Sequence, residues 1–180
     1  MPRLVAFLRA INVGGHTVTM EKLRQEFEGL GLKDVETFIA SGNVIFTARQ
    51  ADAAALEKKI EARLLKALGY EVATFVRTCE EVAAVAGYRP FPGARIDDEA
   101  TVYVGFVERP LNAADARAVM TFKTEVDDFR VKGREVYWLR KTRLTDSPFK
   151  YVSLEKTLKI RVTFRGINTV ARLAAKHGPS

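Results

Sequence analysis

Two short stretches carry the residue types and spacing that could do chemistry. Residues 8–15 read Leu-Arg-Ala-Ile-Asn-Val-Gly-Gly, with His16 next, and residues 164–170 read Phe-Arg-Gly-Ile-Asn-Thr-Val. Each holds Arg-x-Ile-Asn, Arg9 to Asn12 in one and Arg165 to Asn168 in the other. A guanidinium is a planar fork that suits phosphate or carboxylate. Gly14 and Gly15, ahead of a helix, can turn several backbone N–H groups toward one point, where the helix dipole also favours negative charge. Arg165, Asn168 and Thr169 precede a second helix, where a cap and an anion site share one geometry. The chemistry on offer is therefore anion binding. The first stretch is not a P-loop, since Gly-Lys-Ser/Thr is missing, and it does not match G-x-G-x-x-G.

A plainer reading stands beside this one. The glycines can serve only to permit positive φ, and Asn12 can simply bond loop backbone. Arg9 is the stronger signal, because an arginine inside an apolar strand needs a partner, whether carboxylate or ligand. His16 has the right titration range for a general base, but no acid or nucleophile stands near it in sequence. Cys79 is the only cysteine, and His16 and His177 are the only histidines. An intramolecular disulfide is thereby excluded, and no Cys/His zinc site is expected. The densest carboxylates, Asp97-Asp98-Glu99 and Asp127-Asp128, offer the few oxygen ligands a magnesium site needs, but solvated acidic loops are the default reading. No metal site, cofactor or catalytic residue is assigned, and whether the chain is an enzyme stays open.

The elements that must position these groups follow from periodicity and punctuation. Residues 3–10 have the aliphatic content of a buried strand. Thr19 can cap a helix carrying Met20, Leu23, Phe27 and Leu30 at helical spacing, which Gly31 stops. Residues 34–40 and 44–48 read as strands around Ser41-Gly42-Asn43, a hairpin signal. Asp52 caps a helix with the stripe Leu56, Ile60, Leu64 and Leu68, ended by Gly69, and residues 70–77 form a fourth strand. Thr78 and Glu81 make a capping-box pattern for a short extra helix. The order β-α-β-β-α-β is the ferredoxin-like arrangement.

Residues 88–100 hold two prolines, a glycine and an acidic cluster, and read as a linker. The grammar then restarts. Strand 101–107 is followed by a helix opened by Pro110 and Asn112. Strands 126–131 and 135–140 flank Lys132-Gly133-Arg134, and Ser147-Pro148 reads as the start of a helix reaching Leu158. A last strand spans 160–164, and Asn168 or Thr169 caps a terminal helix. The expected fold is α+β: two fused ferredoxin-like halves, residues 1–87 and 101–180, with mainly antiparallel sheets and a C-terminal helix. In that topology the first strand's following loop and the first hairpin lie at one end of the sheet. Arg9, Asn12, Gly14, Gly15 and His16 then converge with Ser41 and Asn43 within ~10 Å, about two inter-strand spacings.

Charge is uneven along the chain. Residues 130–180 hold 13 Lys and Arg against 3 Asp and Glu, while the whole chain is +7. That asymmetry suits a polyanion or an anionic ligand, and equally a plain basic surface. Trp138, Phe149, Tyr151 and Phe164 lie in the same region. Nucleic-acid surfaces pair aromatics with cations, but no RNP1-type pattern is present, and these rings are expected to pack the core. No apolar run approaches the roughly 18–20 residues of a membrane helix, so the protein is expected to be cytoplasmic.

The segment from Leu8 to Phe46 resembles the bacterial family catalogued as domain of unknown function 1697. The matching residues are Arg9, Ile11, Asn12, Gly14, Gly15, Met20, Leu23, Ser41, Gly42 and Asn43. The family's closing motif is similar to Arg165, Asn168, Thr169, Val170 and Leu173. Ala10 stands where the family has glycine, Gly166-Ile167 where it has Asn-Trp, and Pro148 follows Ser147 where members often have Ser-Lys. The resemblance implies a compact bacterial α+β protein and no particular activity. The leading expectation is a binding module for a phosphorylated or nucleic-acid ligand. The alternatives are an enzyme acting on a small phosphorylated or carboxylated metabolite, and a protein-interaction scaffold with purely structural motifs. Oligomeric state is not legible.

Overall fold

The computed structural model describes residues 1–12, 15, 17–38, 42–50, 52–94, 101–143 and 146–177. They group into two compact units, Met1–Ala86 with Arg172–Ser180, and Gly87–Ala171. The architecture is α+β, with eight strands and six helices among the described residues. No helix among them is long and apolar enough to cross a membrane.

The first unit is built from β1 (Arg3–Leu8), α1 (Met20–Glu28), β2 (Lys33–Thr37), β3 (Asn43–Thr47), α2 (Ala53–Leu68) and β4 (Thr74–Thr78), with α3 (Cys79–Gly87) following. Its sheet has the order β2-β3-β1-β4, and every pairing is antiparallel. On one face Leu4, Ala6 and Leu8 join Val44, Phe46 and Val76 against Leu23 and Phe27 of α1 and Leu56, Ile60 and Leu64 of α2. Each large side chain so buried contributes about 1.5–3 kcal/mol. Val5 and Phe7, on the other face, are equally buried, which is why β1 reads as an unbroken apolar run. The helix ends obey local chemistry. Thr19 accepts the Lys22 N–H, Asp52 accepts the Ala55 N–H, and Gly69 closes α2 at φ 83°. Thr78 and Glu81 exchange both bonds of a capping box, at 2.8 and 3.1 Å. Cys79, the first residue of α3, is buried, and burial pushes its thiol up, away from the reactive thiolate.

The second unit contains β5 (Thr101–Val107), α4 (Ala113–Met120), β6 (Asp127–Lys132), β7 (Glu135–Arg140), α5 (Tyr151–Leu158) and β8 (Val162–Gly166), and α6 (Ile167–His177) follows. Its antiparallel sheet has the order β6-β7-β5-β8. The core is aromatic. Trp138 stacks on Tyr103 at 4.8 Å between centroids and meets Phe149 at 4.8 Å and Phe164 at 5.9 Å. Of the four rings expected in a core, only Tyr151 is exposed.

Three expectations need correction. Ser147 does not start a helix. Its hydroxyl donates to Asp127 at 2.7 Å and accepts the Phe149 N–H, so α5 begins later, at Tyr151. Asn168 and Thr169 lie inside α6, which starts at Ile167, directly after β8. Asp127 is no solvated loop acid: it is fully buried on β6. Within the stretch read as a linker, Tyr88 lies 5.1 Å from the Tyr137 ring, and Arg130 covers Phe91 at 5.1 Å. Asp97, Asp98 and Glu99 fall outside the described residues.

Candidate functional site

The end of β1 is held from both sides. The Leu8 N–H donates to the Gly42 carbonyl at 2.8 Å, and the Arg9 N–H donates to Ala73 at 2.9 Å. Phe7 faces Asn43 in the β1–β3 register. The first polar stretch and the hairpin thus lie side by side. Several of their described residues bond within the fold. Asn43 is buried, and its amide donates to the Phe38 carbonyl at 2.9 Å, closing the hairpin. The Asn12 Oδ1 accepts the Val18 N–H at 2.8 Å and ties the loop across itself. The Tyr70 hydroxyl donates to the Ile11 carbonyl at 2.7 Å. Gly15 holds φ at 84°, open only to glycine without strain. Arg9 is half-buried and sits past the end of β1 rather than inside it, because the strand pairing stops at Leu8. Gly14, His16 and Ser41 lie outside the described residues.

The second stretch plays a different part. Arg165 lies on β8, opposite Val104. Its Nη1 donates to the Thr163 hydroxyl at 2.8 Å and to the Phe164 carbonyl at 3.0 Å, and burial lowers its pKa to about 10, still protonated at neutral pH. Asn168 is exposed and Thr169 half-buried in the first turn of α6. The residue that matches Arg165 is not Arg9 but Arg77. Arg77 lies on β4 opposite Val5, is 1% exposed, and donates from Nη1 to the preceding carbonyl at 3.0 Å. The sequence carried this signal, an arginine near the end of an apolar run in both Thr-Phe-Val-Arg-Thr and Val-Thr-Phe-Arg-Gly. Arg9 and Arg165 belong to different units.

A site that sequence reading missed lies where β3 ends and α2 begins. A cleft of about 500 Å³ opens there, walled by Leu30, Leu32, Ala48, Leu56 and Ile60. Lys33, Arg49, Lys59, Gln50 and Asp52 form its polar rim. The carboxylate of Asp52 is engaged as the helix cap, accepting the Ala55 N–H at 3.1 Å. Lys33, Arg49 and Lys59 are exposed and make no ion pair among the described residues. Such a cleft suits a ligand with an anionic end and an apolar body. Three cations from three separate segments give no local motif. A smaller cavity of about 330 Å³, lined in part by Val18, Lys22, Leu68 and Tyr70, lies beside the Asn12 loop. Among the described residues no cluster of His, Cys, Asp and Glu is able to hold a metal ion.

The basic C-terminal region is partly committed to partners in its own chain. Arg130 pairs with Asp128 at 3.0 Å and Arg161 with Glu108 at 3.1 Å. Lys132 sits 4.1 Å over Tyr88, and Arg172 and Lys176 lie 5.7 and 5.4 Å from the Phe38 ring. His177 packs edge-on to the same ring, and burial lowers its pKa.

Residues 1–137 match a family model described as Protein of unknown function (DUF1697). The chain belongs to that family. Within DUF1697 the matched segment includes the first polar stretch and the hairpin, whereas Arg165 to Asn168 lies beyond it. The DUF1697 chain is also similar in structure to conserved bacterial protein SP0830 from Streptococcus pneumoniae. The TM-score is 0.72 and the identity 25%, covering 98% of each chain. No curated protein matches. Ala10, where the resemblance places glycine, holds φ at 54°, a conformation in which a Cβ is strained.

Proposed function

We propose that this protein is a binding module for a small anionic ligand, seated in the cleft between the end of β3 and the start of α2. The observation that carries this reading is the set of three cations, Lys33, Arg49 and Lys59, around an apolar-walled space of about 500 Å³. Ligand pockets typically span roughly 300–1,000 Å³ and combine apolar walls with a few polar groups. A phosphorylated or carboxylated metabolite fits that chemistry better than nucleic acid, because many basic residues of the C-terminal region already have partners. Binding rather than catalysis is favoured, since the rim's one carboxylate caps a helix and the wall offers no nucleophile. In this reading Arg9, Asn12, Gly15 and Asn43 build the end of the sheet.

The fold reading that accompanies it takes residues 1–87 and 101–180 as ferredoxin-like repeats joined by 88–100. It is supported by equal strand orders and by the matched positions of Arg77 and Arg165. A lone, buried cysteine suits a cytoplasmic protein.

A thermal-shift screen across inorganic phosphate, nucleoside monophosphates, small carboxylates and short oligonucleotides tests the function. Ligand at a hundredfold over Kd stabilises by about 2.7 kcal/mol. That gain should vanish in the double variant Arg49→Ala/Lys59→Ala and persist in Arg9→Ala. The reverse pattern would move the site to the polar loop.

A further inference from the structure

The most exceptional side chain outside that cleft is Arg140, the last residue of β7. Side chains alternate along a strand, so Trp138 and Arg140 share a face, and Tyr103, paired with Trp138, shares it too. The Arg140 guanidinium lies 5.1 Å over the Tyr103 ring. The residue is only 8% exposed, and its Nε and Nη1 are buried with no hydrogen-bond partner among the described residues. The two acidic residues of β6 are engaged by other groups. Asp127 stands opposite Arg140 in the β6–β7 register. Its carboxylate accepts the Trp138 Nε1–H at 2.8 Å, the Ser147 hydroxyl at 2.7 Å and the Thr124 hydroxyl at 3.0 Å. Asp128 pairs with Arg130 at 3.0 Å and faces Lys123 at 3.8 Å.

A buried charge without acceptors is costly, and a ring beneath it supplies attraction but no acceptor. What the guanidinium lacks is an oxyanion, for which its planar fork is shaped. Asp127 on the same face places a negative charge nearby, which disfavours a doubly charged guest. We propose that Arg140, backed by Tyr103, binds the carboxylate of a small singly charged solute. This site is in the second unit and does not depend on the cleft of the first.

Trp138, the protein's only tryptophan, stacks on the ring that Arg140 covers and so reports on the site. Emission is followed while sodium acetate is titrated at constant ionic strength, with chloride and phosphate as separate arms. Acetate should give a saturable change, chloride none, and phosphate at least a tenfold weaker one. The change should disappear in Arg140→Met, weaken at least tenfold in Arg140→Lys, and survive in Arg49→Ala/Lys59→Ala. Without acetate, Arg140→Met should melt no lower than the wild type, because it removes an unpaired buried charge. A flat acetate titration, an equal response to chloride, or a response undiminished in either Arg140 variant would overturn the proposal. A clearly lower melting temperature for Arg140→Met would do the same, since it means that Arg140 is satisfied within the protein, with water as its partner.

Discussion

The two units carry the same antiparallel ladder and fill one end of it differently. In the first, Leu4 faces Phe46; in the second, Tyr103 faces Trp138. Matching these pairs sets Ala48, two residues after Phe46, against Arg140, two residues after Trp138. Ala48 is small and lines an open cleft with Lys33, Arg49 and Lys59 around it. Arg140 is long, and with the aromatic stack and Asp127 it fills the corresponding end with buried polar groups. Strand order alone does not make a site. The residue closing the ladder sets the shape and charge of that end: a wide cleft beside Ala48, and a buried guanidinium over the Tyr103 ring.

The largest test of that contrast is Asp127→Ala. In the second unit it removes the acceptor shared by Trp138, Ser147 and Thr124. Leaving buried donors unpaired costs about 1–3 kcal/mol each, and a combined loss of about 3–5 kcal/mol is expected in urea denaturation. Among the described residues the carboxylate at the first unit's open end is that of Asp52, an exposed helix cap, so Asp52→Ala should cost only about 1 kcal/mol. Near-equal losses would mean that the two ends are built alike after all.

How much of this was legible beforehand follows the range of the interactions. Caps made within three residues, at Thr19, Asp52, Thr78 and Asn112, could be read directly, because partner and signal sit together. The meeting of the first polar stretch with the hairpin followed from topology, and the Leu8–Gly42 bond carries it. Ser147 could not be read, since its hydroxyl is taken by Asp127 twenty residues away and the local cap it resembles is never formed. Nothing in Trp-Leu-Arg, at the end of a strand, says that the arginine is covered. The cleft stayed hidden for a related reason: whether Lys33, Arg49 and Lys59 have partners depends on elements far apart in the chain. The end of β1 also reads too late from sequence, since the strand stops at Leu8 and leaves Arg9 beyond it.

A smaller effect sharpens the comparison in the core. On the helix-facing side Ala6 pairs with Val76 in the first unit, and Gly105 pairs with Phe164 in the second. The larger partner requires the smaller residue. A Cβ on Gly105 would stand 2.7 Å from the Phe164 ring and 3.0 Å from Val162. Gly105→Ala should therefore cost about 1–3 kcal/mol through overpacking. Phe164→Val should lose packing by itself, yet the double variant should recover part of the Gly105→Ala loss, with a coupling of roughly 0.5–3 kcal/mol in a double-mutant cycle. Strict additivity would show that the two ladders are not filled by complementary volumes.

The smallest effect concerns the loops that follow the first strand of each unit, and its sign is opposite. In the second unit the chain turns from β5 into α4 through residues 108–112. Arg109 pairs there with Asp115 at 2.7 Å, and Asn112 and Asp115 form a capping box. In the first unit the connection from β1 to α1 is longer, and Asn12 and Tyr70 hold it. It also passes through Ala10 at φ 54°, where the family pattern has glycine. A left-handed conformation costs a residue with a Cβ about 1–2 kcal/mol. Glycine avoids that strain but loses more backbone entropy on folding, about 0.5–1 kcal/mol. The strain is the larger of the two, so Ala10→Gly should stabilise the protein by about 0.5–1 kcal/mol. Chemical denaturation should show a higher midpoint with an unchanged slope. A lower midpoint would mean that Ala10 contributes contacts in the loop that outweigh its backbone strain, and the motif's glycine would then need a reason other than φ.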